Sequence, residues 1–160
     1  MNKIEIRPFI GIGKSILGYS EDDIKNVLGD PTSINDEYYG QEEIEQNLNR
    51  IYVYENHMLD LTFSAEYKFK LSTITAHSPD SELFGFKLIG MEEETFLKIA
   101  GGLGYGVPEI GDDWEEYRDY FLDSIGLSFW ISDGIVENIT IYPEYDESGN
   151  TIIWPSEKNR

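Results

Sequence analysis

Residues 127–135 read Leu-Ser-Phe-Trp-Ile-Ser-Asp-Gly-Ile, and this stretch decides the fold class. Every second side chain of its first six residues is of a core type, and this period of two predicts a strand that is buried on one face. Asp133-Gly134 is the strongest hairpin signal in the chain, because both positions of a tight hairpin turn need residues that tolerate positive φ. We therefore expect an antiparallel hairpin whose second strand runs from Ile135 through Tyr142.

The first half of the chain contains a similar pattern. Residues 59–63 read Leu-Asp-Leu-Thr-Phe and alternate in the same way. Their partner strand is predicted at residues 71–77, which follow the polar connection at residues 65–68. A further strand is predicted at residues 50–54, ahead of both.

Each half also contains one predicted helix. Ser20 is expected to cap the first helix while Asp23, three residues later, reaches back to the cap, and Gly29 ends the helix. The second helix is predicted to begin near Met91, with three glutamates in its first turn, and to end at Gly101-Gly102. The apolar stripes of the two helices are Ile24, Val27 and Leu28, and Phe96, Leu97, Ile99 and Ala100.

These elements suggest an internal duplication, which we compared at three offsets. An offset of 72 places the first helix and its flanking glycines on the second helix, an offset of 66 places Tyr54 on Tyr120, and an offset of 65 places Ile74-Thr75 on Ile139-Thr140. The alternative is that two unrelated segments share a similar spacing. The duplication predicts an α+β fold of two similar helix-plus-antiparallel-sheet units in tandem, with their sheets shared or abutting.

The chain is expected to form a single domain, because 160 residues suit one hydrophobic core. The first repeat is predicted at about residues 8–79, the second at about 80–145 and a C-terminal tail at 146–160, in which residues 152–154 form a last edge strand. Residues 36–48 and 112–123 stay undecided, because residues 114–120 fit a helix by propensity and a strand by alignment.

The charge excludes several classes of function. With 31 Asp and Glu against 12 Lys and Arg, the net charge of −19 repels phosphate backbones, so nucleic acid is not an expected partner. The absence of cysteine excludes disulfides, thiolate catalysis and zinc ribbons. No signal peptide and no long apolar segment is visible, so no membrane partner is expected and a cytoplasmic protein is predicted.

Neither a cofactor nor a metal ion is expected. Gly13-Lys14-Ser15 looks like the end of a phosphate-binding loop, but Pro8 stands where that motif needs its first glycine. His57 and His77 form no local pair of the kind that a metal-binding helix would carry, and structural roles are expected for both. The loop pattern that binds calcium is absent.

Two segments concentrate the acidic residues together with aromatic ones, at the same place in each repeat. A charge run is most often a solvated face that serves solubility. The functional alternative is an electronegative surface for a basic partner, in which carboxylates steer the encounter and aromatic side chains supply the hot spots. This hypothesis requires the two segments to lie on the same side of the molecule. The predicted partner-binding residues are Asp36, Glu37, Tyr39, Glu42, Asp112, Asp113, Trp114, Glu116 and Tyr117.

One local pattern and one general character resemble known families. The pattern is loosely similar to the helix-plus-sheet module of β-lactamase-inhibitory protein and of small outer-membrane assembly lipoproteins, and it comprises Gly13, Ser15, Ile16, Gly18, Glu21, Leu28, Gly29, Asp30 and Pro31. Over the whole chain, the size, the acidity and the duplicated pattern resemble the immunity proteins of bacterial polymorphic and contact-dependent inhibition toxin systems. That resemblance implies a cytoplasmic protein that is not an enzyme and that neutralises a cognate toxin, such as a basic nuclease.

Two alternatives stay open. A small enzyme with an acidic cleft, such as a hydrolase, would use a pair of carboxylates for acid–base chemistry. A phage-type inhibitor that mimics DNA would use the same acidic surface on a different partner.

Overall fold

The computed structural model describes residues 4–155, which form an α+β fold. The helices are α1 (Glu21–Leu28) and α2 (Glu93–Gly101). The strands of the first half are β1 (Ile4–Arg7), β2 (Gly11–Ile12), β3 (Ser15–Ile16), β4 (Ser33–Tyr38), β5 (Leu48–Tyr54), β6 (Leu59–Ser64) and β7 (Lys70–Ala76). Those that follow are β8 (Ser81–Leu83), β9 (Glu109–Asp113), β10 (Tyr117–Leu122), β11 (Leu127–Ser132), β12 (Ile135–Ile141), β13 (Glu144–Tyr145) and β14 (Ile152–Ile153).

One eight-stranded antiparallel sheet forms the centre of the fold, with the strand order β4-β5-β6-β7-β12-β11-β10-β9. Four strands come from each half of the chain. In both halves the first strand lies at an edge of the sheet and the last strand lies at the centre. The halves meet where β7 pairs with β12, and Thr75 lies opposite Thr140 at this junction. The hydroxyls of these two threonines are 2.8 Å apart.

One face of this sheet carries the core. The period-two alternation places a continuous apolar row across six strands, because residues opposite each other in an antiparallel pair share a face. The row is Tyr52, Leu61, Ile74, Ile141, Leu127 and Leu122. Both helices contact this face: the ring of Phe96 in α2 lies 4.7 Å from that of Phe129, and Lys25 in α1 lies over the ring of Tyr52.

The predicted helix ends agree closely with the structure. Ser20 Oγ accepts the N–H of Asp23, and the carboxylate of Asp23 accepts the N–H of Ser20, so the predicted capping box of α1 is present. Gly29 ends α1 at φ 82°, a conformation that favours glycine. Helix α2 begins two residues later than Met91, and its N-cap residue, Glu92, makes no side-chain capping bond.

A second, four-stranded sheet with the order β3-β2-β1-β8 was not expected from the sequence. In it, β1 and β8 pair in parallel, with Ile4 opposite Ser81, so the expectation of antiparallel sheets alone is wrong at this pair. Strand β1 precedes the predicted start of the first repeat, and β8 lies beyond its predicted end. The Gly13-Lys14 turn joins β2 to β3, so the segment that resembles a phosphate loop is a tight hairpin.

The two undecided segments contain strands. Residues 33–38 and 109–122 supply the outer strands of the large sheet, and a single 3₁₀ turn at Glu45–Asn47 precedes β5. Strand β14 ends one residue before the predicted strand does, and it pairs with β13 in a separate two-stranded sheet. Ile152 and Trp154 are buried, so this part of the predicted tail belongs to the core. Neither helix in residues 4–155 has the length and apolarity needed to cross a membrane.

Candidate functional site

The two acidic segments lie at opposite edges of the eight-stranded sheet. We call residues 33–47, with β4, the first acidic edge, and residues 109–123, with β9 and β10, the second acidic edge. Seven strand spacings separate β4 from β9, or about 34 Å along the sheet at ~4.8 Å per spacing. The requirement that both segments lie on the same side is therefore not met, and the nine predicted residues form two separate groups.

The first acidic edge binds one of its own carboxylates internally. Asp36 lies opposite Arg50 in the register of β4 and β5, and Asp36 Oδ1 accepts the Arg50 Nε–H at 2.9 Å. Arg50 Nη1 also contacts Glu21 Oε2 at 3.3 Å, in the first turn of α1. The hydrogen bond to Asp36 is the main cause that raises the pKa of Arg50. Asp36 is thus part of a structural ion-pair cluster.

The other predicted residues of this edge are exposed. Tyr39 donates its hydroxyl hydrogen to Glu66 Oε2 at 3.3 Å, which ties the end of the segment to the turn after β6. Glu37 and Glu42 are exposed, and the backbone carbonyl of Glu42 accepts a hydrogen bond from the side chain of Asn47. Glu37 and Glu42 thus present carboxylates to solvent.

The second acidic edge contains the same kind of internal cluster. Asp113 lies opposite Arg118 in the register, and Arg118 Nε is 3.4 Å from Asp113 Oδ1. Arg118 Nη1 donates to Glu93 Oε2 at 3.2 Å, in the first turn of α2. Tyr120 also donates its hydroxyl hydrogen to Glu93. In each half, therefore, one arginine joins the first turn of the helix to the outer strand of the sheet.

A buried tyrosine completes each cluster. Tyr52 donates its hydroxyl hydrogen to Glu21 Oε1 at 2.6 Å, as Tyr120 does to Glu93. Tyr52, rather than Tyr54, therefore makes the same kind of contact as Tyr120. The predicted offset of 66, which places Tyr54 on Tyr120, is wrong by two residues for this contact. Burial, reinforced by the glutamate in each case, raises the pKa of both Tyr52 and Tyr120.

A bulge shapes the second acidic edge at Gly111 and Asp112. The pairing of β9 with β10 shifts here, and the N–H of Asp112 donates to Asp119 Oδ1 at 2.7 Å. A Cβ atom on Gly111 would lie 2.4 Å from both Asp119 Oδ1 and the ring of Phe121. A larger residue at 111 would therefore have to displace the side chains of Asp119 and Phe121. The bulge interrupts regular pairing along this edge, which protects it against pairing with another strand.

Two predicted aromatic residues of the second edge are exposed. The side chain of Trp114 is 65% exposed. The backbone N–H of Trp114 donates to the backbone carbonyl of Tyr117 at 2.7 Å, in the turn between β9 and β10. The ring of Tyr117 stacks on that of Trp130, with centroids 5.8 Å apart and an interplanar angle of 17°. The carbonyl of Glu116 accepts the N–H of Asp133, which fixes this turn against the hairpin of β11 and β12. Backbone hydrogen bonds thus fix the turn that carries the exposed indole of Trp114.

Acidic residues flank Trp114 and Tyr117 in the sequence. Within residues 4–155, no Lys or Arg forms an ion pair with Asp112, Glu115 or Glu116. Asp112, Asp113, Trp114, Glu116 and Tyr117, five of the nine predicted residues, therefore lie together on one turn and its flanking strands. Asp36, Glu37, Tyr39 and Glu42 lie at the other edge.

The sequence prediction missed an exposed apolar residue ahead of β9, one within β9, and a tryptophan on β11. Val107 and Ile110 are 78% and 49% exposed, and Trp130 occupies the face of the sheet that points away from the helices. The alternation of residues 127–132 already indicated that Trp130 points away from the core, and this signal could have identified it. Val107 and Ile110 lie in the segment between α2 and β10, where no periodic pattern exists to interpret.

The two histidines lie apart from both acidic edges. His77 Nε2 lies 2.8 Å from Asp60 Oδ2 on the face of the sheet opposite the helices. His57 lies in the turn between β5 and β6, with its ring 5.9 Å from that of Tyr54. In the part of the chain that the structure describes, no three His, Asp or Glu side chains are close enough together to hold a metal ion.

Comparisons with models of protein families, with curated proteins and with solved structures found no match for the chain.

Proposed function

We propose that this chain is a cytoplasmic immunity protein that binds and neutralises a cognate bacterial toxin, such as a basic nuclease, through its second acidic edge. The observation that carries the proposal is the exposure of Trp114 in the turn between β9 and β10, next to Asp112, Glu115 and Glu116, which form no ion pair within residues 4–155. An exposed indole in such surroundings suits a partner that is basic and partly apolar. Tryptophan and tyrosine are the residue types most often found as interface hot spots.

The mechanism is occlusion rather than chemistry. Carboxylates at Asp112, Glu115 and Glu116 take the positions that substrate phosphates would occupy on the toxin. Their field accelerates the encounter, since opposite potentials steer association. Trp114 and Tyr117 then supply apolar contact that slows dissociation.

We confine the interface to one edge, because the two acidic segments lie at opposite edges of the sheet and the expectation that both meet the partner is not met. A standard interface covers about 800 Å² of each protein, roughly 28 Å across if it is square, which is less than the ~34 Å between the edges along the sheet. The second edge is the better candidate because its exposed apolar and aromatic side chains include Ile110, Trp114 and Tyr117. At the first edge the largest exposed apolar residues are tyrosines and isoleucines, of which Tyr39 is tied to Glu66.

We further propose that the two halves of the chain are copies of one ancestral unit. The support is the recurrence of the glutamate–arginine–tyrosine cluster in both halves, with an aspartate of the outer strand in each. The reversed strand order of the second half, with Thr75 facing Thr140 at the junction, is what a local two-fold relation between copies would produce. The unit then comprises one helix and four strands.

The test uses a candidate toxin encoded beside this gene, titrated with the purified protein. We expect Trp114→Ala to weaken binding by at least 30-fold, because truncation of a hot-spot side chain costs about 2 kcal/mol or more. Tyr39→Ala, at the first edge, is the matched control and is expected to change the dissociation constant less than threefold. The association rate should fall as salt is added, since the steering carboxylates become screened.

The contrary outcomes are also specific. Equal binding by the Trp114→Ala variant and the parent protein would reject the second edge as the contact surface. A neighbouring toxin that fails to bind the parent protein, together with an activity of this chain that one carboxylate substitution abolishes, would favour the acidic-cleft enzyme instead.

A further inference from the structure

A solvent-open cavity of about 660 Å³ lies between the small sheet, the C-terminal end of α1 and the turn before β6. Its size is typical of pockets for small organic ligands. Its apolar walls include Ile4, Val27, Leu28 and Leu59. No residue of either acidic edge lines it, so its contents are independent of the proposed toxin interface.

The cavity brings together two cationic side chains that have no ion-pair partner among the described residues. Arg7 and Lys14 line it, and within residues 4–155 neither forms an ion pair, whereas Arg50 and Arg118 each bind two carboxylates. His57 lies at the same cavity. Other lysines among the described residues, such as Lys68 and Lys98, also form no ion pair, but Arg7 and Lys14 are distinguished by lining the same cavity.

The β2–β3 hairpin fixes this arrangement. Arg7 Nη2 donates to the carbonyl of Gly13 at 2.7 Å, which holds the guanidinium against the turn that carries Lys14. Gly13 has φ 58°, and its N–H donates to the carbonyl of Glu5, so this amide is not free to cradle a phosphate. The recognition elements are therefore side-chain cations beside an apolar wall, which differs from the backbone cradle of a phosphate-binding loop.

Two further groups bear on the ligand. The hydroxyl of Ser15 is buried in this hairpin and has no hydrogen-bond partner in the described chain. Among the described residues, Glu5 is the one carboxylate that lines the cavity, and it is exposed. A single carboxylate leaves the balance of formal charge in the cavity positive.

We propose that this cavity binds a small organic anion, a carboxylate or a phosphate monoester that carries an apolar group. The anionic group contacts Arg7 and Lys14, and the apolar group packs against Val27, Leu28 and Leu59. Carboxylates and phosphate monoesters both present an anionic group to the cavity, and the experiment below distinguishes between them.

The test titrates the full-length protein at low ionic strength with phenyl phosphate, benzoate and inorganic phosphate, and follows amide shifts by NMR. We expect saturable shifts in residues 5–15 and around His57 with at least one of the aromatic anions, and the tighter of the two identifies the head group. Inorganic phosphate should bind at least fivefold more weakly than the tighter aromatic anion, because it lacks the apolar contact.

Variants at exposed lysines supply the control. Lys14→Ala should raise the dissociation constant of the tighter anion at least fivefold, whereas Lys98→Ala, at an exposed lysine on α2, should leave it unchanged. Shifts centred elsewhere, no saturation with either aromatic anion, or equal losses in both variants would overturn the proposal. Equal binding of inorganic phosphate would overturn its apolar part. Each of these readings is obtained without a toxin, so the result does not depend on the proposed function.

Discussion

At the scale of single residues, two arginines form ion pairs that the acidic composition does not reveal. Arg50 and Arg118 each bind a glutamate of a helix and an aspartate of an outer strand. Removing either guanidinium would leave its two carboxylates without their cation. Asp36 and Asp113, which the sequence predicts as partner-binding residues, thus form ion pairs with arginines of the same chain.

The buried tyrosines of these clusters predict how stability depends on pH. Burial and a glutamate raise the pKa of Tyr52 above its ordinary value of 10.0. In the unfolded chain the phenol ionises first, so the stabilisation is complete below about pH 10 and is lost as the pH rises above it. We expect the free energy of unfolding to fall above pH 10, by up to about 1.4 kcal/mol per pH unit for each such tyrosine.

Urea denaturation at pH 8, 10 and 11 measures this effect, with Tyr52→Phe as the matched variant. The variant should lose less stability than the parent protein between pH 10 and 11. Parallel losses in the two proteins would show that Tyr52 does not contribute to the alkaline instability.

These ion pairs could not be predicted from the sequence. The partner of Arg50 depends on the register of β4 against β5, which places Asp36 opposite it, and on the approach of α1 across the sheet. Neither depends on spacing along the chain. The two acidic groups could be identified from composition, but which carboxylates are free required the pairing of the strands.

At the scale of elements, the two helices differ in how they begin. Helix α1 has a reciprocal capping box, whereas Glu92 at the N-cap of α2 makes no capping bond. We expect Ser20→Ala to lower the free energy of unfolding by about 1 kcal/mol, because it removes the acceptor for the N–H of Asp23. Glu92→Ala should cost less than about 0.5 kcal/mol, since only a charge near the helix terminus is lost.

Chemical denaturation of the two variants in parallel makes the comparison. A loss for Glu92→Ala as large as that for Ser20→Ala would contradict the assigned capping roles. An unchanged Ser20→Ala variant would do the same.

The elements that could be predicted are those with local signals. The capping box of Ser20 and Asp23, the turn at Asp133-Gly134 and the alternation of residues 59–63 and 127–132 each depend on a few adjacent residues. The small sheet has no such signal, because β2 and β3 contain two residues each and β1 finds its parallel partner half a chain away. The outer strands were undecided because their exposed, acidic residues lack the alternation of a half-buried strand.

At the scale of the whole molecule, the net charge of −19 opposes compaction. Salt screens this repulsion, with a Debye length of about 10 Å at 0.1 M. We expect the free energy of unfolding to rise on the order of 1 kcal/mol between low salt and 0.5 M sodium chloride, as measured with urea, which adds no ions.

The double variant Glu42→Lys/Glu43→Lys is the control, because both positions are exposed on the first acidic edge. Its smaller net charge should make its stability less sensitive to salt. A fall in the parent protein's stability with added salt would mean that its ion pairs outweigh the general repulsion.

The parallel pairing of β1 with β8 governs the order in which the chain can fold during synthesis. Ile4 leaves the ribosome well before Ser81, where the strand that it joins begins. Until then the N-terminal segment has only its own short hairpin to pair with, and its apolar side chains Ile6 and Ile12, fully enclosed in the finished protein, face water. The segment from β1 to β3 is therefore a portion of this protein to which a ribosome-associated chaperone would bind before β8 is made.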